Sequence, residues 1–184
     1  LRPKPGRPFP LAPAMAAMIL THASKTLTHE SNPAPATCDA LIVGAGPAGL
    51  TAAIYLARFR RAVVAIDKGE GRLAMIPRSH NHAGFPGGVP GPDLLARMAG
   101  QAALHGADLR KGEATALARD GEGFLAQTTV GPIRARAVIL ATGVVNAPPP
   151  LPSAVHDDAL ARGLLRYCPI CDAYEEIDRR IGVL

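Results

Sequence analysis

Tryptophan is absent from this chain, and aromatic residues make up only 4% of it. So little aromatic surface argues against a nucleic-acid binder that stacks bases on aromatic platforms, and no nucleic-acid partner is expected. The core must instead be assembled from Ala, Val, Leu and Ile, which is the composition of a parallel sheet buried beneath helices. Cysteine is scarce too, at Cys38, Cys168 and Cys171. A disulfide-stapled secreted domain carries more of them, usually an even number in a shorter chain. One close pair and one single cysteine read as usage in a reducing compartment, so a cytoplasmic location is expected. No apolar run reaches the ~18–20 residues needed to span a bilayer, so no membrane association is expected.

What is present suits a folded body. Apolar residues make up 48% of 184 positions, enough for one domain of ordinary size. The net charge is +5. Residues 1–37 carry +3 of it, from Arg2, Lys4, Arg7 and Lys25 against Glu30, so the basic balance is mostly a property of the N-terminal stretch. The same stretch holds seven of the 18 prolines, shows no period of 2 or 3.6, and reads as a disordered extension. Leu11–Leu20 is apolar and follows basic residues, as in a signal peptide, but the prolines crowding it favour an over-extended reading frame with its true start at Met15 or Met18.

Structure is expected from residue 38 onward. Ala40–Val43 is a short apolar run ending in glycine, as a buried strand should. Ala48–Arg60 reads as a helix with Leu50, Ala53, Ile54 and Ala57 on one face. Ala62–Ile66 reads as a second buried strand, stopped by Asp67–Gly71. Together they make a βαβ unit. After a Gly/Pro/His-rich stretch from Met75 to Pro92, a helix should run from Pro92 to about His105. Glu113–Arg119, Phe124–Val130 and Ile133–Ala141 then read as a small β-meander inserted before the last parallel strand, Ala137–Ala141. The fold class is therefore α/β, a Rossmann-like dinucleotide-binding domain over 38–150. Residues 151–184 read as a linker, a Cys-x-x-Cys segment and, at Ile181–Leu184, the start of another strand.

Two constellations carry chemistry. The first is Gly44-Ala45-Gly46-Pro47-Ala48-Gly49, a G-x-G-x-x-G pattern with a strand before it and a helix after it. In this context Gly44 allows a sharp turn, Gly46 clears the approach of a pyrophosphate, and Gly49 lets the helix pack close to the strand. The helix that follows from Ala48 offers free N–H groups and a dipole that favour an anion. Asp67, 18 residues past Gly49, is placed to bind a ribose hydroxyl. A purely structural turn is the plain alternative. FAD and NAD share the AMP half, so the pattern does not choose between them. The further signal is Ile139-Leu140-Ala141-Thr142-Gly143, a strand ending in Ala-Thr-Gly after the meander.

The second constellation is Cys168-Pro169-Ile170-Cys171-Asp172. Two intervening residues bring the sulfurs within bonding reach when the segment turns into a helix, a start that Pro169 suits. Asp172 is an acid–base candidate for thiol–disulfide exchange. Half a zinc site, completed by Cys38 or by His80 and His82, and an inert pair are the alternatives. His80, His82, His105 and His156 read as surface or packing residues, and Cys38 as a small buried apolar one.

The ordered series of the glycine pattern, Asp67, Gly84-Phe85-Pro86, Ala141-Thr142-Gly143 and Cys168-Pro169-Ile170-Cys171-Asp172 resembles the low-molecular-weight thioredoxin reductases over about residues 38–184. In the glutathione-reductase branch the redox cysteines lie soon after the fingerprint; here they follow Ala-Thr-Gly. The resemblance implies FAD held by Gly44, Gly46, Pro47, Ala48, Gly49 and Asp67, with Ala141, Thr142 and Gly143 near it. Gly71, Arg72 and Leu73, and the turn at Asn81–Pro86, would line the flavin end. It further implies electrons from NADPH passing through FAD to a Cys168–Cys171 disulfide. Cys171 would face the flavin, Cys168 attack the substrate, and Asp172 donate the proton. A homodimer is implied, with a thioredoxin-like protein or a small disulfide as partner.

Asp67 stands where many members have Glu. The Pro169-Ile170 spacer differs from the small residues of well-known thioredoxin reductases. The resemblance also implies an NADPH-binding domain beginning at Ile181–Leu184 and a C-terminal segment that completes the flavin domain. Neither is contained in the 184 residues, so the expectation is a fragment, a truncated gene model or a frameshifted copy unable to turn over with NADPH. A flavin-dependent dithiol oxidase and a non-catalytic dinucleotide-binding remnant are the competing functions.

Overall fold

The structure, a computed structural model, describes residues 35–183. The extension up to residue 34, with Leu11–Leu20, Met15 and Met18, lies outside the described residues, as does Leu184. The elements are β1 (Ala36–Val43), α1 (Pro47–Arg58), β2 (Val63–Asp67), a 3-10 turn (Arg72–Met75) and α2 (Gly91–Leu104). They continue with β3 (Asp108–Lys111), β4 (Ala114–Asp120), β5 (Gly123–Thr128), β6 (Ile133–Leu140), α3 (Ser153–Ala161), the short helix α4 (Pro169–Asp172) and a second 3-10 turn (Tyr174–Glu176).

Six strands form one sheet in the order β3-β2-β1-β6-β5-β4. β1 is central and pairs in parallel with β2 on one side and β6 on the other. A strand flanked in this way is covered on both faces, which is why it is a continuous apolar run rather than an alternating one. Leu41 and Ile42, one after the other, are both fully buried. Ile42, Val63 and Ala65 pack with Leu50, Ala53, Ile54 and Ala57 of α1 and with Ala102 of α2. Leu41, Val64 and Ile66 belong to a separate cluster with Cys38, Ala126, Ile133 and Ala135. The 3.6-residue spacing of the four α1 positions is what aims them together at the sheet.

Four sequence expectations need correction. β1 begins at Ala36, inside the stretch read as extension, because Ala36 and Thr37 find partners in Ile133 and Arg134 of β6. β3 was not anticipated: Asp-Leu-Arg-Lys has no apolar alternation, yet it pairs in parallel with β2 as an edge strand. α3 was not anticipated either, since it buries no residue. Residues 181–183 form no strand; Ile181 and Val183 are exposed and no ladder holds them. The meander is present but not separate: β6 pairs with β5 near its start and with β1 along its length, so one strand serves both ladders.

Leu50, 2% exposed, is the most deeply buried of the large α1 side chains pressed on the sheet. Leu50→Ala should lower unfolding free energy by about 3 kcal/mol, read as a reduced urea midpoint at unchanged slope.

Candidate functional site: a glycine bend and a docked disulfide

The carboxyl ends of the parallel strands gather at one edge of the sheet. Val43 is in register with Ile66 on one side and Leu140 on the other. The chain runs outward from β1 through α1 to β2 and through α2 to β3, whereas β6 lies on the opposite side of β1. The strand order therefore reverses between β1 and β6, and sheets of this kind take their ligand in the crevice outside the carboxyl edge at such a reversal.

Three glycines shape that crevice, each for its own reason. Gly44 has φ +100, and a Cβ on it would meet the Ala141 carbonyl oxygen at 2.2 Å. A Cβ on Gly49 would lie 1.8 Å from the Gly44 carbonyl oxygen and 3.2 Å from Ile42 Cγ2, so α1 touches the strand by its backbone. A Cβ on Gly46 would meet nothing within 4 Å: that space is open. Gly46 is also the N-cap of α1 and offers no side-chain hydrogen bond to the first turn. Pro47 removes one orphan donor, and the first turn around exposed Ala48 keeps its N–H groups for a ligand.

Asp67 ends β2 and braces the bend. One carboxylate oxygen accepts the Ala45 N–H at 2.6 Å and the other the Gly69 N–H at 2.5 Å. Each oxygen retains a lone pair for a hydroxyl. Beyond β6, Ala141 donates its N–H to the Val43 carbonyl at 2.8 Å, and Thr142 and Gly143 are exposed beside it.

Gly71 and Arg72 open the first 3-10 turn. Leu73 is buried with Val89 and Leu94, so its side chain anchors the turn. Exposed Asn81 accepts the Ser79 hydroxyl at 2.8 Å. Arg72 Nε is buried without a hydrogen-bond partner, while its Nη2 donates to the Tyr167 carbonyl.

That last bond ties the turn after β2 to the cysteine segment, since Tyr167 immediately precedes Cys168. Cys168 is the N-cap of α4, and the Cys171 N–H donates to its carbonyl at 3.1 Å. The two cysteines are joined in a disulfide with Cα atoms 5.3 Å apart. Asp172 ends α4, and its side chain lies outside the described part of the structure. Two further contacts hold the segment: the His80 N–H donates to the Cys171 carbonyl at 3.4 Å, and His156 Nε2 lies 2.7 Å from the Tyr167 hydroxyl. A small apolar hollow remains between Met75, Ile76 and Pro77 on one wall and Leu160, Leu165 and Cys168 on the other. Arg72, as an anchor of the cysteine segment, and both histidines were missed from sequence: the partners of Arg72 and His80 lie far along the chain, and that of His156 is a hydroxyl across a turn that no pattern marks. Cys38 is buried as expected, and desolvation pushes its thiol above the ordinary value.

The family described as pyridine nucleotide-disulphide oxidoreductase matches residues 38–183. The chain belongs to that family. A thioredoxin reductase from Streptomyces coelicolor is 35% identical over 154 residues, covering 79% of this chain and 46% of the relative. The structure of a thioredoxin reductase from Gloeobacter violaceus is 32% identical, with a TM-score of 0.58 over 76% of this chain and 46% of that one. One from Streptococcus pyogenes is 29% identical, with a TM-score of 0.67 over 76% of this chain and 45% of that one. The chain thus spans about half the length of these pyridine nucleotide-disulphide oxidoreductase relatives. No helix among the described residues is long and apolar enough to cross a membrane.

The different surroundings of the glycines separate packing from binding. Gly49→Ala should destabilise the fold by on the order of 2 kcal/mol, because helix and strand must part. Gly46→Ala should move the urea midpoint little. Equal effects from the two would contradict these assignments.

Proposed function

We propose that this chain is the flavin-binding and disulfide-bearing portion of an FAD-dependent disulfide reductase of thioredoxin reductase type. NADPH would be the electron source, and a thioredoxin-like protein or small disulfide the acceptor. The observation that carries the reading is the docking of the Cys168–Cys171 segment against the turn at Arg72 and the loop after it, through the Arg72 to Tyr167 and His80 to Cys171 bonds. A redox pair held against the outer end of a dinucleotide crevice is what electron relay requires.

The residues suit FAD. The open space in front of Gly46 and the uncapped first turn of α1 match a diphosphate. Asp67, already fixed by two backbone N–H groups, can take ribose hydroxyls without reordering. The buried, unpartnered Arg72 Nε is a donor awaiting an acceptor at the far end. When bound, FAD would supply a carrier that accepts a hydride and releases an electron pair to a disulfide. The chain's own part is to hold that carrier by its diphosphate and to keep Cys168 and Cys171 at bonding distance. Asp172, next to Cys171, is the proposed proton donor to the departing thiolate.

FAD titration of the purified chain, followed by visible flavin absorbance and by quenching of free flavin fluorescence, tests the reading. Saturable binding is expected. Gly46→Val, which fills the open space, should weaken it by at least about tenfold, equivalent to about 1.4 kcal/mol, at an unchanged urea midpoint. Absence of binding to the folded parent chain would sink the proposal.

A further inference from the structure

The two outer edges of the sheet are built differently. β3 closes one side and is guarded: it is four residues long, three of them charged, and Arg110 bridges Asp108 at 2.7 Å. Short, charged strands of this kind discourage a further strand from pairing. β4 closes the other side and lacks these devices. Its sequence Ala-Thr-Ala-Leu-Ala-Arg-Asp carries no proline and no charge before Arg119, and Thr115 to Arg119 are exposed without interruption. Among the described residues nothing pairs with its outer side.

The two charges of β4 do not guard it either. The Arg119 guanidinium lies over the Phe124 ring, 5.4 Å from its centroid, and Asp120 pairs with Arg134 at 2.6 Å, so both are drawn onto the sheet's own side chains. The pairing with β5 shifts register between Ala114 and Ala116, which leaves Ala116–Asp120 as the regular stretch. Every second residue of such a strand turns its N–H and C=O groups outward, to water or to another strand. The stretch is also self-complementary. In an antiparallel two-fold pairing centred on Ala118, Arg119 falls opposite Leu117 and Asp120 opposite Ala116 of the other copy, and no like charges stand directly across.

We infer that the outer edge of β4 is an interface with a second copy of this chain, the two β4 strands pairing antiparallel about Ala118 to join both sheets into one. The occupant must itself offer an unguarded edge strand, and a second copy brings one with each charge already placed away from its like. Pairing along Ala116–Asp120 alone buries less than the ~1,200 Å² at the low end of standard interfaces, so the association is reversible and depends on protein concentration. The inference is independent of the disulfide-reductase reading, since it uses no residue of the glycine bend or of the cysteine segment.

Sedimentation velocity of the full chain over a concentration series tests it, and a reversible monomer–dimer equilibrium is expected. Leu117→Lys sets a cation opposite Arg119 of the other copy, twice in each dimer, and should weaken the dimer about fivefold or more. Leu117→Glu sets an anion there and should leave the dimer at least as tight as the parent's. Cross-linking serves even if a charged variant fails to fold. Ala118→Cys, mildly oxidised and read by peptide mass spectrometry without reduction, should link the two introduced cysteines, while Leu104→Cys, exposed at the end of α2, should not. A monomer at every concentration overturns the inference. So does equal weakening by Lys and Glu, which would mark loss of the leucine and not a charge register. A dimer that Leu117→Lys leaves intact and Ala118→Cys fails to capture overturns it too, by placing the interface on another face.

Discussion

The backbone contact between α1 and β1 governs the rest of the structure. Gly49 rests on the Gly44 carbonyl, at a separation that no side chain could share. With the helix that close, its first turn begins directly at the carboxyl edge of the sheet, and the uncapped N–H groups face the crevice instead of another part of the chain. Because β1 is central, its two parallel neighbours bring Asp67 and Ala141 to the same edge. One close approach thus sets the position of the bend, of the acid that braces it and of the Ala-Thr-Gly turn.

The disulfide depends on this frame at one remove. Arg72 stands a few residues beyond the end of β2, on a turn anchored by Leu73 with Val89 and Leu94. From there it reaches the carbonyl before Cys168, while His80 reaches the carbonyl of Cys171. The cysteine segment contributes little apolar burial itself: Ile170, Tyr174 and Ile177 are all exposed. Its position rests on a few polar contacts, and such contacts are easily exchanged when a segment must present one face and then another.

The parts that were legible in the sequence are those where backbone geometry dictates residue type. Gly44, with its positive φ, and Gly49, with no room for a Cβ, could scarcely be other residues, and the buried run before them followed from a strand covered on both faces. The spacing of Cys168 and Cys171 likewise announces a turn that brings two sulfurs together. β3 was illegible because an edge strand of Asp, Leu, Arg and Lys is specified by its neighbour β2, not by its own pattern. α3 was illegible because it buries nothing, so no apolar period marks it. The anchoring roles of Arg72 and His80 depend on partners more than ninety positions away, and no local pattern carries such information.

The central claim is that the amides at the start of α1 receive a diphosphate. The most direct measurement is an NMR titration of the isotopically labelled chain with ADP, the half that dinucleotide cofactors share. The account predicts saturable shifts concentrated at the backbone amides from Gly44 to Gly49 and at Asp67. Shifts confined to other parts of the chain, or none at saturating ADP with the chain folded, would contradict it.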